Sequence, residues 1–202
     1  MTRRLLPYGA GAVLLECADF AETQRLHPAI AQRFDAVTEI VPGARTLLLR
    51  LARPLSAAER QDLLDLPGVD AHIAGDQEPV TLPVDYSGPD LAEVAERTGV
   101  SPDGVVAAHT GQTWTVAFCG FAPGFGYLLG ENDSLRVPRR SQPRTSVPAG
   151  AVGLADAFSG VYPRSGPGGW QLIGRTDANL WDVDRDPPAL LRPGVRVRFT
   201  AS

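Results

Sequence analysis

Four segments carry residue types that could do chemistry. The first is FCGFAPGFGYLLG, Phe118 to Gly130. It is apolar enough for a core, yet Gly120, Pro123, Gly124 and Gly126 interrupt it. A strand built only to bury surface would not carry so many breakers. Glycine lets a backbone approach a ligand closely and present its N–H groups. Gly120, Phe121, Pro123, Gly124 and Phe125 are therefore candidate binding residues. The second segment, VPRRSQPRTSVPAG, crowds Arg139, Arg140 and Arg144 among prolines, which hold a loop in one shape. Guanidinium forks recognise carboxylate or phosphate, which makes Arg139 and Arg144 candidate anion ligands. The third, YPRSGPGGWQLIGRTD, joins Tyr162, a Pro-Gly-Gly turn ending at Gly169, and Trp170 to Gln171, Arg175 and Thr176. The fourth is His109, a candidate for proton transfer. Each has a plainer reading: a tight turn, a solvated loop, a bulged barrel corner with a structural tryptophan, and a capping or packing histidine. No metal-ligand spacing, phosphate loop, G-x-S-x-G or paired-carboxylate signature is visible. Residue types alone give a candidate anion site on a β-rich scaffold.

The elements that must position these residues fall into two groups. GAVLLEC reads as a strand. DFAETQRLHPAIAQRF places Leu26, Ile30 and Phe34 on one helical face, with Pro28 expected to kink or restart the helix. AVTEIVPGARTLLLRL reads as a hairpin around Pro42-Gly43. SAAERQDLLDLPG opens with Ser56 and Glu59, a capping box, turns Leu63 and Leu66 inward, and closes at Gly68. A strand is expected at VDAHIAG and a linker at AGDQEPV. The second group starts at VTLPVDYSG. Two short helices follow, PDLAEVAERTG and SPDGVVAAH, the latter with Ser101 as N-cap and Pro102 at its first position; His109 ends it. From residue 112 on, strands and turns alternate, as in a closed or nearly closed barrel. The fold class is α+β: an N-terminal α/β sandwich over residues 1–78 and a β-barrel domain over 79–202.

Composition sets outer limits. The chain has 202 residues, 44% hydrophobic and 21% charged, with a net charge of −4. That balance argues against a general nucleic-acid or anionic-membrane surface. Twenty-one glycines and eighteen prolines favour short strands and turns. Cys17 and Cys119 lie far apart in apolar runs and read as buried thiols. The basic, then apolar N-terminus superficially suggests a leader, but Pro7, Tyr8 and Gly9 break it and Glu16 ends it, so it reads as an edge strand. No run approaches a membrane span. The expected setting is cytoplasmic.

Taken in order, GFAPGFGYL, VPR…PRTSVPAGAVGLA, GVYP and PGGWQLIGRT resemble the family of 5-oxoprolinase B subunits. The same family includes allophanate hydrolase subunit 1, the sporulation-kinase inhibitor KipI and carboxyltransferase subdomains C and D of urea amidolyase. The resemblance spans nearly the whole chain and is strongest from His109 to Asp177. It implies a cyclophilin-like barrel for the second domain. It implies partners: a homologous C subunit and a LamB/YcsF-type A subunit, which together with this chain open 5-oxoproline to glutamate using ATP. The nucleotide would be held mainly by or with a partner, and this chain would be inactive alone. The resemblance also implies that the glycine-proline stretch walls the substrate site and that Arg139, Arg144 and Arg175 hold a carboxylate or phosphorylated intermediate. His109 would move a proton or orient a water.

This chain departs from the family at one place. Where the family usually reads AGGQTGVYP, it has ADAFSGVYP, so that a glycine becomes Asp156 and Gly-Gln becomes Ala157-Phe158. Trp114 also stands where tyrosine is usual. Within the resemblance a KipI-type inhibitor of a histidine kinase is a competing function, as is an allophanate- or urea-type amidohydrolase accessory. A biotin-dependent carboxyltransferase accessory would need a biotin carrier. A prolyl isomerase is a further reading from the barrel alone.

Overall fold

Alternation of apolar residues decides the first sheet. Strands β1 (Arg4–Pro7) and β2 (Ala12–Glu16) pair antiparallel, and helix α1 (Phe20–Arg33) follows. Strands β3 (Val37–Pro42) and β4 (Thr46–Leu51) form the hairpin, and helix α2 (Ala57–Asp65) completes the unit. The sheet order is β1-β2-β4-β3. Cross-strand partners Val13/Leu49 and Leu15/Leu47 face one side, where Leu26, Ile30 and Leu63 cover them. The Asp19 side chain caps α1 by accepting from the Glu22 amide, and Ser56 and Glu59 form a reciprocal capping box on α2. Helix α1 runs unbroken through Pro28 and does not restart there. Burial of Leu26, Ala29 and Ile30 on its inner face holds the helix across the missing hydrogen bond. This is a computed structural model, and it describes residues 3–69 and 78–202. The strand expected at VDAHIAG and much of the linker lie outside the described residues. The chain divides into two units, 1–73 and 74–202.

The second unit begins with β5 (Val80–Val84), α3 (Leu91–Thr98) and α4 (Pro102–Thr110). Gly99 ends α3 in the left-handed conformation, and Ser101 caps α4 by accepting from the Gly104 amide. Strands β6 (Trp114–Cys119), β7 (Gly126–Gly130), β8 (Arg144–Val147), β9 (Ala151–Ala155), β10 (Phe158–Val161), β11 (Gly166–Gly168), β12 (Gln171–Arg175) and β13 (Arg196–Ala201) follow. Six of them join β5 in a seven-stranded sheet in the order β12-β9-β10-β7-β6-β13-β5, while β8 and β11 form a small ribbon.

The two outermost strands of the large sheet meet. Asp85, just past β5, exchanges both backbone hydrogen bonds with Arg175 at the end of β12, at 2.8 Å each. The chain then leads into α3 while still bonded to β12: the Gly88 amide donates to Ile173 O and the Asp90 amide to Leu172 O. Glycine is required on both sides of this seam. A Cβ on Gly88 would lie 2.2 Å from the Ile173 carbonyl carbon, and one on Gly174 would lie 2.6 Å from Asp85 O. The result is a nearly closed barrel, an α+β architecture as the sequence suggests. Its interior holds Val84, Trp114, Val116, Leu128, Val152, Val161, Ile173 and Phe199. A separate cluster of Phe125, Ala151, Ala155, Tyr162, Trp170 and Leu172 buries the outer side of the same wall. With both faces covered, β9 is buried at every position. Among the described residues no helix is long and apolar enough to cross a membrane.

Candidate functional site

The first three sequence segments converge on one cleft outside the barrel wall. Its volume is about 210 Å³, and it is walled by Phe121, Phe125 and Tyr127 from the first, Arg139 and Pro143 from the second, and Tyr162, Pro167, Gly168, Gly169 and Trp170 from the third. The aromatic rings brace one another edge to face. Phe125 sits 5.3 Å from Tyr162, 5.4 Å from Trp170 and 5.0 Å from Tyr127. Phe121 stands 57% exposed at the rim, edge-on to Phe125 and Tyr162, on a backbone with φ of 67°. A bulky residue in that region is strained, and such strain persists where the surroundings enforce it.

The glycines of the first segment serve protein contacts. Gly124 has φ of 83°, and a Cβ there would lie 2.9 Å from the Trp181 Cβ. Gly126 abuts Leu191 and Val116. Phe121 and Phe125 supply the wall instead, while Gly120, Pro123 and Gly124 shape the turn that presents them. In the third segment the clearance matters within the cleft itself: a Cβ on Gly168 would lie 2.3 Å from the Tyr162 hydroxyl oxygen. Burial pushes the Tyr162 phenol up, and the Trp170 amide and the charges of Arg139 and Arg144 oppose that rise.

The arginines divide by role. Arg139 lines the cleft and makes no ion pair with any described residue. Arg140 and Arg144 instead converge on the buried carboxylate of Asp90, at 2.8 and 2.7 Å to the same oxygen. Arg175 lies 61% exposed beside Asp177, away from the cleft lining. Gln171 is fully buried and donates to Pro138 O at 3.3 Å. Thr176 is buried, its amide bonded to Gly150 O.

His109 is placed on the other side of the wall. It is fully buried in the barrel interior, packed 4.2 Å from the Phe199 ring and 4.9 Å from Trp114. Its Nδ1 shares a 2.7 Å hydrogen bond with the Tyr86 hydroxyl, and its Nε2 shares one of 2.8 Å with Ser159 Oγ. Burial lowers its pKa from about 6.5 to about 3, so the ring is neutral. On β10, Ser159 reaches inward to His109, whereas Phe158 points outward, edge-on to Phe118 and Tyr127. His109 and the cleft are therefore on opposite faces of one strand. Asp156 has φ of 50°, a conformation that glycine adopts freely and aspartate tolerates.

Sequence reasoning did not single out Tyr127, Pro143, Pro167 and Gly168, although each lies inside a quoted segment. It missed Asp90, which stands at the start of α3 and meets its partners only through the fold. Here the Asp90 side chain caps nothing. No group of His, Cys, Asp and Glu among the described residues is arranged to hold a metal.

The small α/β unit and the barrel together match a family model, the carboxyltransferase domain, over residues 3–191. The chain belongs to the carboxyltransferase domain family, subdomains C and D. It is similar to the B subunit of 5-oxoprolinase from Escherichia coli O157:H7, at 43% identity over 170 residues, covering 81% of this chain and 77% of that protein. The Bacillus subtilis (strain 168) protein of the same name is 48% identical over 136 residues, covering 64% and 57%. Among solved structures, TTHA0988 superposes with a TM-score of 0.73 at 34% identity, covering 96% of this chain and 40% of that one. The urea amidolyase of K. lactis shares the fold, with a TM-score of 0.77 at 18% identity, covering 99% of this chain and 15% of that one. The chain thus spans under two thirds of the Bacillus relative and less than half of TTHA0988.

Proposed function

We propose that this chain is the B subunit of an ATP-dependent 5-oxoprolinase and that the aromatic cleft holds the substrate. The observation that carries this reading is the meeting of three segments around a guanidinium that has no ion pair among the described residues, in a chain similar to proteins named as B subunits of 5-oxoprolinase. A five-membered lactam offers flat apolar faces to Phe125, Tyr127 and Trp170, and its carboxylate matches the Arg139 fork. The aromatic walls exclude water from the ring. The cleft is smaller than the roughly 300–1,000 Å³ of sites for drug-sized ligands, which suits a small ring.

The same size argues against a nucleotide in this cleft, and one lining cation does not match a triphosphate. We assign ATP to the partners, a homologous C subunit and a LamB/YcsF-type A subunit. Transfer of the ATP γ-phosphoryl group to the amide oxygen would activate the lactam carbon toward water; addition of water and expulsion of the ring nitrogen break the C–N bond and leave an acyl phosphate, which a second water hydrolyses to glutamate and inorganic phosphate. In that sequence this chain binds, orients and desolvates the lactam. His109 supports the wall from behind.

The test is to combine the chain with both partners and follow glutamate formation from 5-oxoproline, with and without ATP. ATP-dependent glutamate, reduced at least tenfold by Arg139→Ala, supports the reading. A stable complex without turnover overturns it and favours a regulatory role or another amide.

A further inference from the structure

We infer that Asp90 is the positioning residue of the cleft: it acts through Arg140 and Arg144 to aim Arg139 at the ligand. The inference rests on the proposed reading of the cleft as a carboxylate site. Asp90 stands at the start of α3, only 3% exposed. Its Oδ1 accepts from Arg140 Nη1 at 2.8 Å and Arg144 Nη2 at 2.7 Å. Its Oδ2 accepts from the Leu172 amide at 2.6 Å, and its own amide donates to Leu172 O at 2.9 Å. One carboxylate thus joins the arginine loop to β12. A carboxylate has lone pairs for all three donors, and charge-assisted bonds of this length are strong.

The consequence falls on Arg139. The residues on either side of it are tied to the third segment. Pro138 O accepts from Gln171 Nε2, and the Arg140 amide donates to Gly169 O at 2.8 Å. Arg144 Nη1 also reaches Trp170 O, at 3.5 Å. A Cβ built on Gly169 would lie 3.8 Å from Arg139 Nε, so the guanidinium runs along this same backbone. Two arginines serve as scaffold, and the third is left as the cation of the cleft. Without the Asp90 charge, Arg140 and Arg144 would repel each other across a half-buried space, and the loop carrying Arg139 would lose its register.

The experiment is a double-mutant cycle on the full chain with Asp90→Asn, Arg139→Ala and both, measuring calorimetric affinity for L-5-oxoproline and for 2-pyrrolidone, the same lactam without a carboxylate. If Asp90 acts through Arg139, each single variant weakens 5-oxoproline at least tenfold and spares 2-pyrrolidone. The double variant is then no worse than Arg139→Ala. An Asp90→Asn loss that adds to that of Arg139→Ala, or that falls equally on both lactams, overturns the inference and leaves Asp90 a fold residue. If Asp90→Asn does not fold, Arg140→Lys combined with Arg144→Lys takes its place in the cycle. A wild-type chain that does not prefer 5-oxoproline over 2-pyrrolidone defeats the substrate reading instead. In that case phenylglyoxal modification, read peptide by peptide, decides the clamp. Protection of Arg140 and Arg144 but not Arg139, lost in Asp90→Asn, supports it; equal reactivity of all three in the wild type overturns it.

Discussion

On the inner face of β10, Ser159 closes a hydrogen-bonded row with His109 and Tyr86, in which every ring is packed and both imidazole nitrogens are partnered. On the outer face, one residue away in either direction, Phe158 and Gly160 support an aromatic cleft with a strained, exposed Phe121 and a guanidinium that has no ion pair among the described residues. The inner set pairs a serine with a histidine, as hydrolases do, yet both are fully buried. The outer set has no nucleophile and yet is open. Reactive residue types therefore do not mark a site by themselves. Access and unsatisfied charge do.

The contrast can be broken from the inside first. His109→Ala leaves a cavity and strands the Tyr86 and Ser159 hydroxyls, and should cost about 3 kcal/mol of stability in denaturant unfolding. Ligand affinity of the folded protein should stay unchanged; a loss of affinity at intact stability would join the two faces into one site. The second test is pH. The unfolded chain takes up a proton on His109 near pH 6.5, whereas the folded chain does not until about pH 3. The unfolded state thus binds more protons in that window, so stability falls as pH drops from 6.5 toward 3, by up to ~1.4 kcal/mol per pH unit. This contribution should vanish in His109→Ala when the two unfolding curves are compared across pH.

Outside the wall, two adjacent glycines give a sharper contrast. Gly168→Ala forces its methyl group into the Tyr162 hydroxyl and should weaken cleft binding at least tenfold, about 1.4 kcal/mol. Gly169→Ala makes only ordinary contacts, with Pro143 at 3.6 Å, and should bind as wild type in the same titration. Phe158→Gln gives up two edge-on ring contacts and should lower thermal stability by about 1 kcal/mol, with the acid-side slope intact. Arg175→Ala should move neither the unfolding midpoint nor the affinity, since its side chain lies in solvent.

Much of this fold is written in local pattern. The Ser56/Glu59 box, the Pro42-Gly43 hairpin and the Gly99 and Ser101 caps depend on neighbours in the chain, and each appears as the residues dictate. At Pro28 a tertiary contact, burial of Leu26 and Ile30, carries the helix on without the restart that the local penalty favours. For the candidate cleft, the quoted segments supply the lining residues, since glycine, proline and aromatic residues cluster where a chain turns under constraint. The division of labour among the arginines is not legible. It depends on Asp90, some fifty residues upstream in sequence, whose distance from them only the closed barrel sets. The interior place of His109 is equally a matter of which face of a strand a helix covers.

The seam between β5 and β12 has a bearing on assembly. Asp85, Gly88 and Asp90 in turn satisfy the outer carbonyls of β12, so the strand that would otherwise be the last in the sheet is already lined by the protein's own chain. An open sheet edge recruits foreign strands through main-chain groups, and it does so with little regard for sequence. This barrel offers no such handle along β12. A protein that docks there has to recognise side chains, so its choice of partner is set by shape and charge, and substitutions on that surface can alter the pairing without disturbing the sheet.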